Sequence, residues 1–440
     1  GKFMARKSLL ILLDGLGDRS HPELDHQTPL QAAYTPNLDR LAALGSSGLY
    51  HAATPGLALP SENAHFAMFG YSARDFPGRG ALEALGADIP LDPTEVAFLA
   101  HLVELQIADD CLILAKDHPQ ASPEEAQSLA DSIALFQQGE GSAQFLPTYG
   151  LFGIVRLSGP VAPFVTDTNT MNEGRPLPEP LPWQEYADDP AARNSAELLK
   201  NYLLWVYRRL NEHSVNRRRR QAGRGVINGL VTQRGGQLKK VADFRAQNGL
   251  KALSISSGLV YWGLAAFLGM RVEKVTDGED PGDDLAQRLA MARKVLPEYD
   301  FIHLHTKAPD QAAHRKDPVA KVKVIEALDR GLGRELAALL ADPDLLLAVT
   351  ADHSTPSSGP LVHGGEPVPL LFVGPGVRRD RVRRYDEISA AAGALGPVRG
   401  GEFMALVLNY LERSKLIGTR EAPADQPFWP GDYQPFRVKG

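Results

Sequence analysis

Cysteine is nearly absent from this sequence, since Cys111 is the only one in 440 residues. A single cysteine excludes an intrachain disulfide and fits a reducing compartment. The sequence also has no run that approaches the 18 consecutive apolar residues typical of a transmembrane helix. We therefore expect a soluble, cytoplasmic protein that has no membrane partner.

Net positive charge is absent as well, because the formal charge at pH 7 is −6. This balance argues against nucleic acid as a partner. The basic run Arg217–Arg220 is the exception, and a solvated loop is its expected structure. An apolar fraction of 43% and a charged fraction of 23% are ordinary for a globular protein. The length favours two domains or one large domain and leaves the oligomeric state open.

Short apolar runs that end at polar residues predict an α/β fold built on a mainly parallel sheet. The clearest runs are Ser8–Leu13, Tyr299–His305 and Leu345–Thr350. From about Ala97 the pattern changes to alternating strands of a smaller α+β insertion. The predicted organisation is a core in two parts, residues 1–94 and 219–440, separated by an inserted substrate-binding lid domain, residues 95–218.

Residues able to bind metals or attack phosphorus follow these apolar runs at four places. They are Asp14; Ser61; Asp310 with His314; and Asp352 and His353 with His363. Each alone has an ordinary explanation, such as a turn residue or an exposed i,i+4 pair. Because the carboxyl ends of parallel strands share one edge of a sheet, we expect the four groups to converge.

Carboxylate and imidazole without thiolate suit Zn²⁺ or Mn²⁺. One hypothesis gives one ion to Asp310, His314 and His363. A second ion then belongs to Asp14, Asp352, His353 and the oxygen of Ser61. Two ions activate a serine hydroxyl for phosphoryl transfer, which a serine alone does poorly at neutral pH. A Ser-His-Asp acyl-transfer site is the competing idea, but Ser61 is not in a G-x-S-x-G elbow.

The chain resembles the cofactor-independent phosphoglycerate mutases of the archaeal type, within the alkaline phosphatase superfamily. The resemblance runs in family order over nearly the whole chain. It rests on residues 13–19 (LDGLGDR), 28–33 (TPLQAA), 35–39 (TPNLD), 61–65 (SENAH), 78–80 (GRG), 83–87 (EALGA), 165–168 (VTDT), 307–314 (KAPDQAAH), 352–356 (DHSTP) and 363–369 (HGGEPVP).

The resemblance implies an alkaline-phosphatase-like core, with helices on both faces of its sheet, and the metal set given above. It also implies interconversion of 3-phosphoglycerate and 2-phosphoglycerate through phosphoserine at Ser61. The cofactors expected are two divalent ions, Mn, Zn or Mg, and no organic cofactor. Lys307 matches a basic position beside the metals, where a point charge suits phosphoryl oxygens.

The candidate substrate-binding residues are Arg79, Arg234 and Asp167. Both arginines follow predicted strands or turns and are candidates for binding phosphate or carboxylate, while Asp167 belongs to the motif VTDT. The expected partner is a small phosphorylated substrate. Glu62 is interpreted as a turn or outer-sphere residue, and His65 as structural.

The insertion lacks arginines that the resemblance leads one to expect. The segment Val96–Lys116 contains none, and Thr148-Tyr149-Gly150 stands where a His-Arg pair is expected. Fewer cations weaken the grip on a glycerate carboxylate and the exclusion of water. The alternative is therefore a metal-dependent phosphomonoesterase or another phosphotransferase. A protein that only binds its ligand is disfavoured, because every expected metal position holds a competent side chain.

Overall fold

The structure is a computed structural model that describes residues 6–438. These residues form fourteen strands: β1 (Lys7–Leu13), β2 (Ser46–His51), β3 (Val96–Ala108), β4 (Cys111–Lys116), β5 (Leu135–Gln138), β6 (Gly141–Tyr149), β7 (Phe152–Ser158), β8 (Gly229–Gly236), β9 (Ala252–Ser256), β10 (Arg271–Lys274), β11 (Phe301–Thr306), β12 (Leu345–Thr350), β13 (Val368–Val373) and β14 (Gly396–Arg399).

The same residues form thirteen α-helices and five short 3-10 helices. The α-helices are α1 (Pro29–Ala32), α2 (Pro36–Ala43), α3 (Ser61–Met68), α4 (Arg79–Gly86), α5 (Pro123–Ser132), α6 (Pro190–Asn211), α7 (Ser214–Gln221), α8 (Phe244–Asn248), α9 (Leu259–Phe267), α10 (Pro281–Val295), α11 (Ala308–His314), α12 (Pro318–Leu340) and α13 (Glu402–Tyr410). The 3-10 helices span Pro22–Leu24, Ala73–Asp75, Gln184–Tyr186, Leu296–Glu298 and Ala390–Ala392.

Local sequence explains how several of these helices begin. Ser122 Oγ accepts a hydrogen bond from the Glu125 amide at 3.1 Å, and the Glu125 side chain accepts one from the Ser122 amide, which forms a capping box before α5. Asp317 caps α12 by accepting from the amides of Val319 and Ala320. Proline at the first position of both helices adds a preset φ angle.

The first compact unit comprises the described residues 6–76, 241–258 and 265–438. Its sheet has eight strands in the order β10-β9-β11-β1-β12-β13-β2-β14. The pairs that β13 forms with β12 and β2 are antiparallel, and the other five neighbouring pairs are parallel. The predicted α/β fold with a mainly parallel sheet is therefore confirmed.

Because of this topology, several strands end at the same edge of the sheet. β1, β11 and β12 are parallel neighbours, so their carboxyl ends lie side by side. β13 is antiparallel to β12 and therefore begins at the same edge, and β2, antiparallel to β13, ends there. Segments that follow β1, β2, β11 and β12, or precede β13, consequently meet.

The second compact unit comprises residues 77–240 and 259–264. Its antiparallel sheet has the order β4-β3-β7-β6-β5, with β8 also paired to β3. Its buried apolar core includes Phe98 of β3, Leu129 of α5 and Tyr202 of α6. Among residues 6–438, no helix combines the length and apolar composition that crossing a membrane requires.

This unit is larger than the predicted insertion 95–218 at both ends. β8 pairs with β3 and completes the sheet, which brings in residues up to 240. α4 packs so closely on β3 that a Cβ on Gly80 would lie 2.1 Å from the Ala97 carbonyl oxygen. The backbones of α9 and α4 are also in contact, since a Cβ on Gly263 would lie 1.6 Å from the Leu82 carbonyl oxygen.

One local expectation is corrected by the structure. The basic run Arg217–Arg220 is not a loop but part of α7, and Arg219 is buried. Arg219 donates to both carboxylate oxygens of Glu125 and to the carbonyl of Gly225, so it joins α7 to α5. α5 ends at Ser132, because residues from Leu135 onward pair as β5 with β6.

Candidate metal centre

Three aspartates stand at the sheet edge described above. Asp14 directly follows β1, Asp352 lies two residues beyond β12, and Asp310 lies in α11, which follows β11. Asp14 and Asp352 are buried, whereas Asp310 is partly exposed. The carboxylates therefore reach one place because their strands are parallel neighbours.

Gly15 allows the aspartates to approach one another. Its φ of +69° lies in the region that favours glycine, and a Cβ there would lie 2.7 Å from Oδ1 of Asp310. The Gly15 amide donates a 3.1 Å hydrogen bond to Oδ1 of Asp352. The turn after β1 thus orients the carboxylate that follows β12.

Ser61 is the first residue of α3 and is buried. Its hydroxyl donates to Oδ1 of Asp14 at 3.1 Å, and its Oγ lies 2.7 Å from Nε2 of His353. Pro60 precedes the helix in extended conformation with φ −63°. The structure therefore brings together three residues that are far apart in the chain, Asp14, Ser61 and His353.

Asp310 contacts both other histidines of the predicted set. Its Oδ2 lies 3.1 Å from Nε2 of His314, and its Oδ1 lies 3.5 Å from Nε2 of His363. Nδ1 of His363 lies 2.8 Å from the carbonyl oxygen of Leu59, which can only accept, so Nδ1 carries a proton. In the neutral ring, Nε2 then presents a lone pair towards Asp310, as a metal ligand requires.

At this edge of the sheet, the potential ligand atoms fall into two groups. Asp14, Asp352 and His353 form one, and Asp310, His353 and His363 form the other, with atoms in each group lying within 4.8 Å of one another. His353 belongs to both, and its ring stacks on that of His363 at 3.7 Å between centroids. His314 contacts this arrangement through Asp310 and lies outside both groups.

The donor set fits a divalent cation. Oδ2 of Asp352 is buried, and no donor among the described residues forms a hydrogen bond with it. Nε2 of His353 lies 3.3 Å from this oxygen, and Nδ1 of His65 lies 3.5 Å from it. A buried carboxylate oxygen without a donor is costly, and an ion bound beside it would remove that cost.

The electrostatics of the cluster point to the same need for a cation. Burial opposes the charged form of Asp14, but hydrogen bonds with His305 and His353 hold its pKa well below the ordinary value. Burial and the charge of Asp14 raise the pKa of Asp352 well above its ordinary value. Burial disfavours imidazolium at His353, yet Asp352 and Asp14 raise its pKa to about 10. The site thus concentrates negative charge that positive charge must balance.

Histidines beneath the aspartates were not predicted as site residues. Nε2 of His305 lies 2.7 Å from Oδ2 of Asp14, and Nδ1 of His65 lies 2.8 Å from the Ser61 carbonyl oxygen. Nε2 of His303 lies 3.1 Å from Nε2 of His65. Burial and the nearby His305 lower the pKa of His65 to about 3, which keeps it neutral. The signal available in the sequence was the pair of alternating histidines in the apolar strand FIHLHT.

Lys307 precedes α11 in the first unit. Its Nζ lies 3.5 Å from Oδ2 of Asp277, and its side chain is 27% exposed. Asp277 also accepts hydrogen bonds from Arg288 and Ser257, at 2.7 and 2.8 Å. The ammonium group of Lys307 is therefore held by an ion pair close to the end of β11.

The remaining predicted residues belong to the second unit. Asp167 accepts a 2.7 Å hydrogen bond from the amide of Arg234, which has a φ of +53°. Arg79 begins α4 and donates to Glu83 at 3.1 Å. Asp167 and Arg234 are thus brought together, with the carboxylate fixing the backbone from which the arginine projects.

Comparison with known proteins adds independent information. A family described as "Metalloenzyme superfamily" matches residues 6–410. A curated relative from Methanocaldococcus jannaschii, "2,3-bisphosphoglycerate-independent phosphoglycerate mutase 2", is 38% identical over 97% of this chain and 98% of its own.

Solved structures agree with this assignment. A Pyrococcus horikoshii protein of solved structure is 30% identical, with a TM-score of 0.76 over 94% of this chain and 100% of its own. The cofactor-independent phosphoglycerate mutase of Thermoplasma acidophilum is 28% identical, with a TM-score of 0.64 over 92% of this chain and 100% of its own. The predicted resemblance is confirmed: the chain belongs to the metalloenzyme superfamily and, within it, to the 2,3-bisphosphoglycerate-independent phosphoglycerate mutases.

Proposed function

We propose that this protein interconverts 3-phosphoglycerate and 2-phosphoglycerate through a phosphoserine at Ser61. The observation that carries this proposal is the buried Ser61 hydroxyl, placed between Asp14 and His353 in a cluster of carboxylates and imidazoles. Relatives that match nearly the full chain are named as mutases, which supports the substrate. The names of these relatives do not favour the phosphomonoesterase alternative that the missing arginines suggested.

The proposed reaction consists of two balanced transfers. The oxygen of Ser61 forms a bond to phosphorus as the bond between phosphorus and the glycerate oxygen breaks. The serine loses its proton, and the glycerate oxygen gains one. In the second transfer the oxygen of the neighbouring glycerate hydroxyl forms a bond to phosphorus and loses its proton, as the bond between phosphorus and the Ser61 oxygen breaks and that oxygen recovers a proton. Water is not consumed, so the net result is isomerisation.

Asp14 orients the nucleophile for this chemistry. The Ser61 hydroxyl donates its single hydrogen to Oδ1 of Asp14, and one oxygen lone pair faces Nε2 of His353 at 2.7 Å, so the other lone pair is available to the substrate. Asp14 is itself fixed by His305 on its other oxygen at 2.7 Å. This two-sided arrangement holds the serine oxygen in one direction, which lowers the entropic cost of the attack.

Two divalent ions complete the proposal. Asp310 and His363 would hold one, and His314, whose Nε2 lies 3.1 Å from Asp310, would move onto the same ion. Asp14, Asp352, His353 and the Ser61 oxygen would hold the other. The residue types suit Mn²⁺ or Zn²⁺, with Mg²⁺ as the third candidate, and no organic cofactor is invoked. Bound ions would supply stabilisation of charge on the serine and phosphoryl oxygens.

The second unit is proposed to act as the substrate-binding lid domain. Arg79 and Arg234 would bind phosphate or carboxylate oxygens, and Asp167 would position Arg234 through its amide. Lys307 would add a charge next to the transferring group. Compaction on adding substrate, measured by solution scattering, tests the lid. A cytoplasmic location stays a prediction.

A coupled assay tests the proposed function directly. Formation of 2-phosphoglycerate from 3-phosphoglycerate is followed beside release of free phosphate from the same sample. We expect isomerisation without phosphate release, and the Ser61→Ala variant should lose both isomerisation and the phosphoenzyme while remaining folded. Phosphate release at the rate of substrate loss would replace the mutase proposal by the hydrolase. Isomerisation near the wild-type rate in Ser61→Ala would reject the serine mechanism.

A further inference from the structure

A separate group of metal-ligand side chains lies entirely within the second unit. It consists of His101 in β3 with Asp117 and His118, which follow β4. Nε2 of His101 lies 2.8 Å from Oδ1 of Asp117, and Nε2 of His118 lies 3.4 Å from Oδ2. One ligand atom from each residue falls within 4.8 Å of the other two.

The β3–β4 hairpin explains why these residues meet. Ala108 pairs with Cys111 across the turn of Asp109 and Asp110, and Glu104 pairs with Lys116. The chain after Lys116 continues back along β3 and so carries Asp117 and His118 towards His101. Glu173 fixes this segment, because its carboxylate accepts a 3.1 Å hydrogen bond from the Asp117 amide.

Aromatic stacking sets the direction of both imidazoles. Phe152 pairs with His101 across the sheet, with ring centroids 5.2 Å apart and planes 25° apart. His118 stacks on His101 at 5.1 Å and 18°. Two nearly parallel imidazole planes allow both Nε2 atoms to face the same carboxylate. Tyr149 also stacks on Phe152, with ring centroids 4.9 Å apart, and so extends the row of stacked rings.

The spacing of the donors is close to that of a metal site. Ligand bonds of about 2.0–2.2 Å at tetrahedral angles place ligand atoms about 3.4 Å apart. Nε2 of His101 lies 2.8 Å from Oδ1 of Asp117 and Nε2 of His118 lies 3.4 Å from Oδ2, so each imidazole already lies near or within this spacing of one carboxylate oxygen.

We propose that His101, Asp117 and His118 bind Zn²⁺ or a similar divalent transition metal. Two imidazoles and one carboxylate are a donor set that zinc accepts, and three protein ligands leave one position for water or an anion. His118 is 62% exposed, which gives the ion a route from solvent. This site shares no residue with the centre around Ser61, and its existence does not depend on the proposed mutase reaction.

Zinc stoichiometry of the full chain tests the site. Wild type, His118→Asn and a control, His26→Asn, are dialysed against buffered Zn²⁺, and bound zinc per chain is measured by mass spectrometry. His26 is also exposed, and asparagine tolerates its φ of +60°. Losing even an outer partner of a metal ligand costs about 10–100-fold in affinity, so losing His118 should cost at least that.

We expect His118→Asn to bind one zinc fewer than wild type, and His26→Asn to match wild type. Asp117→Asn, which keeps the side-chain shape, should show the same loss. Equal zinc in all four proteins would overturn the proposal, as would an equal loss in His26→Asn. Asp352→Asn alters the centre around Ser61 and should retain the zinc that depends on His118. A failure of the mutase proposal is therefore distinguishable from a failure of this zinc-site proposal.

Discussion

Replacing Lys321 with methionine should strongly destabilise the first unit. Lys321 lies in α12 and is fully buried. Its Nζ donates to the carbonyl oxygens of Gly15, Gly17 and Thr355 at 2.9, 3.1 and 3.0 Å, and lies 3.2 Å from Oδ2 of Asp18. One ammonium group therefore joins the turn after β1 to the segment after β12.

The size of the effect follows from what Lys321→Met leaves behind. Methionine fills a similar volume, so the cavity term is small. Removing one partner of a buried ion pair costs about 3–5 kcal/mol. Asp18 keeps Ser357 and His21 as partners, which lowers its share of the cost. The carbonyls that lose a donor add about 1 kcal/mol or more each. We therefore expect a loss of at least about 3–5 kcal/mol in the free energy of unfolding.

Hydrogen exchange resolved by peptide is the suitable assay, because two compact units need not unfold together. The free energy of opening is compared for β1 and β12 peptides in wild type, Lys321→Met and Lys323→Met. Lys323 is exposed on the same helix, so its replacement should change stability by no more than about 0.5 kcal/mol. If Lys321→Met opens as rarely as this control, the argument from buried donors is wrong.

Three further substitutions test other parts of the structure. Asp352→Asn should weaken metal binding at the centre around Ser61, and unchanged metal content with unchanged activity would count against Asp352 as a metal ligand. Arg234→Ala should raise KM about 10-fold or more, as expected for a charged hydrogen bond of 1.5–3 kcal/mol, while a KM equal to that of wild type would remove it from the substrate site. Burial raises the pKa of Glu387 to about 7. The protonated carboxyl therefore contributes its full stabilisation below the pKa of the unfolded chain, near 4.5. This contribution is lost as the pH rises through about 7. Thermal unfolding of both proteins is measured between pH 5 and 8. The free energy of unfolding of Glu387→Gln should increase relative to that of wild type as the pH rises, by about 3 kcal/mol at most. A difference in unfolding free energy that stays constant with pH would contradict this.

Several features of the fold were predictable because they are local. The apolar run of β1 ends at Asp14, and that of β12 ends just before Asp352. Because these strands are parallel neighbours, the two aspartates must lie close together. The start of α5 at Ser122 was equally readable, since a capping box lies within four residues.

Other features arise only when distant segments pack. Lys321 has the appearance of a solvent-facing lysine in an amphipathic helix, yet its partners lie about 300 residues earlier and 34 residues later in the chain. The basic run in α7 likewise gains its buried ion pair from Glu125, almost 100 residues away. The hydrophobic periodicity of a sequence indicates whether a residue faces a core, but it does not indicate which group the residue contacts there.

The sequence by itself determined the chemical types at the site and the order of the strands' apolar runs, because both are written in consecutive residues. The tertiary structure decided which side chains share an ion-sized space. It placed His353 between two carboxylate groups, left His314 outside both, and added His305 beneath Asp14. The reason is physical: ligand distances of a few ångströms are fixed by strand register and helix packing across the whole first unit, and no local pattern encodes them.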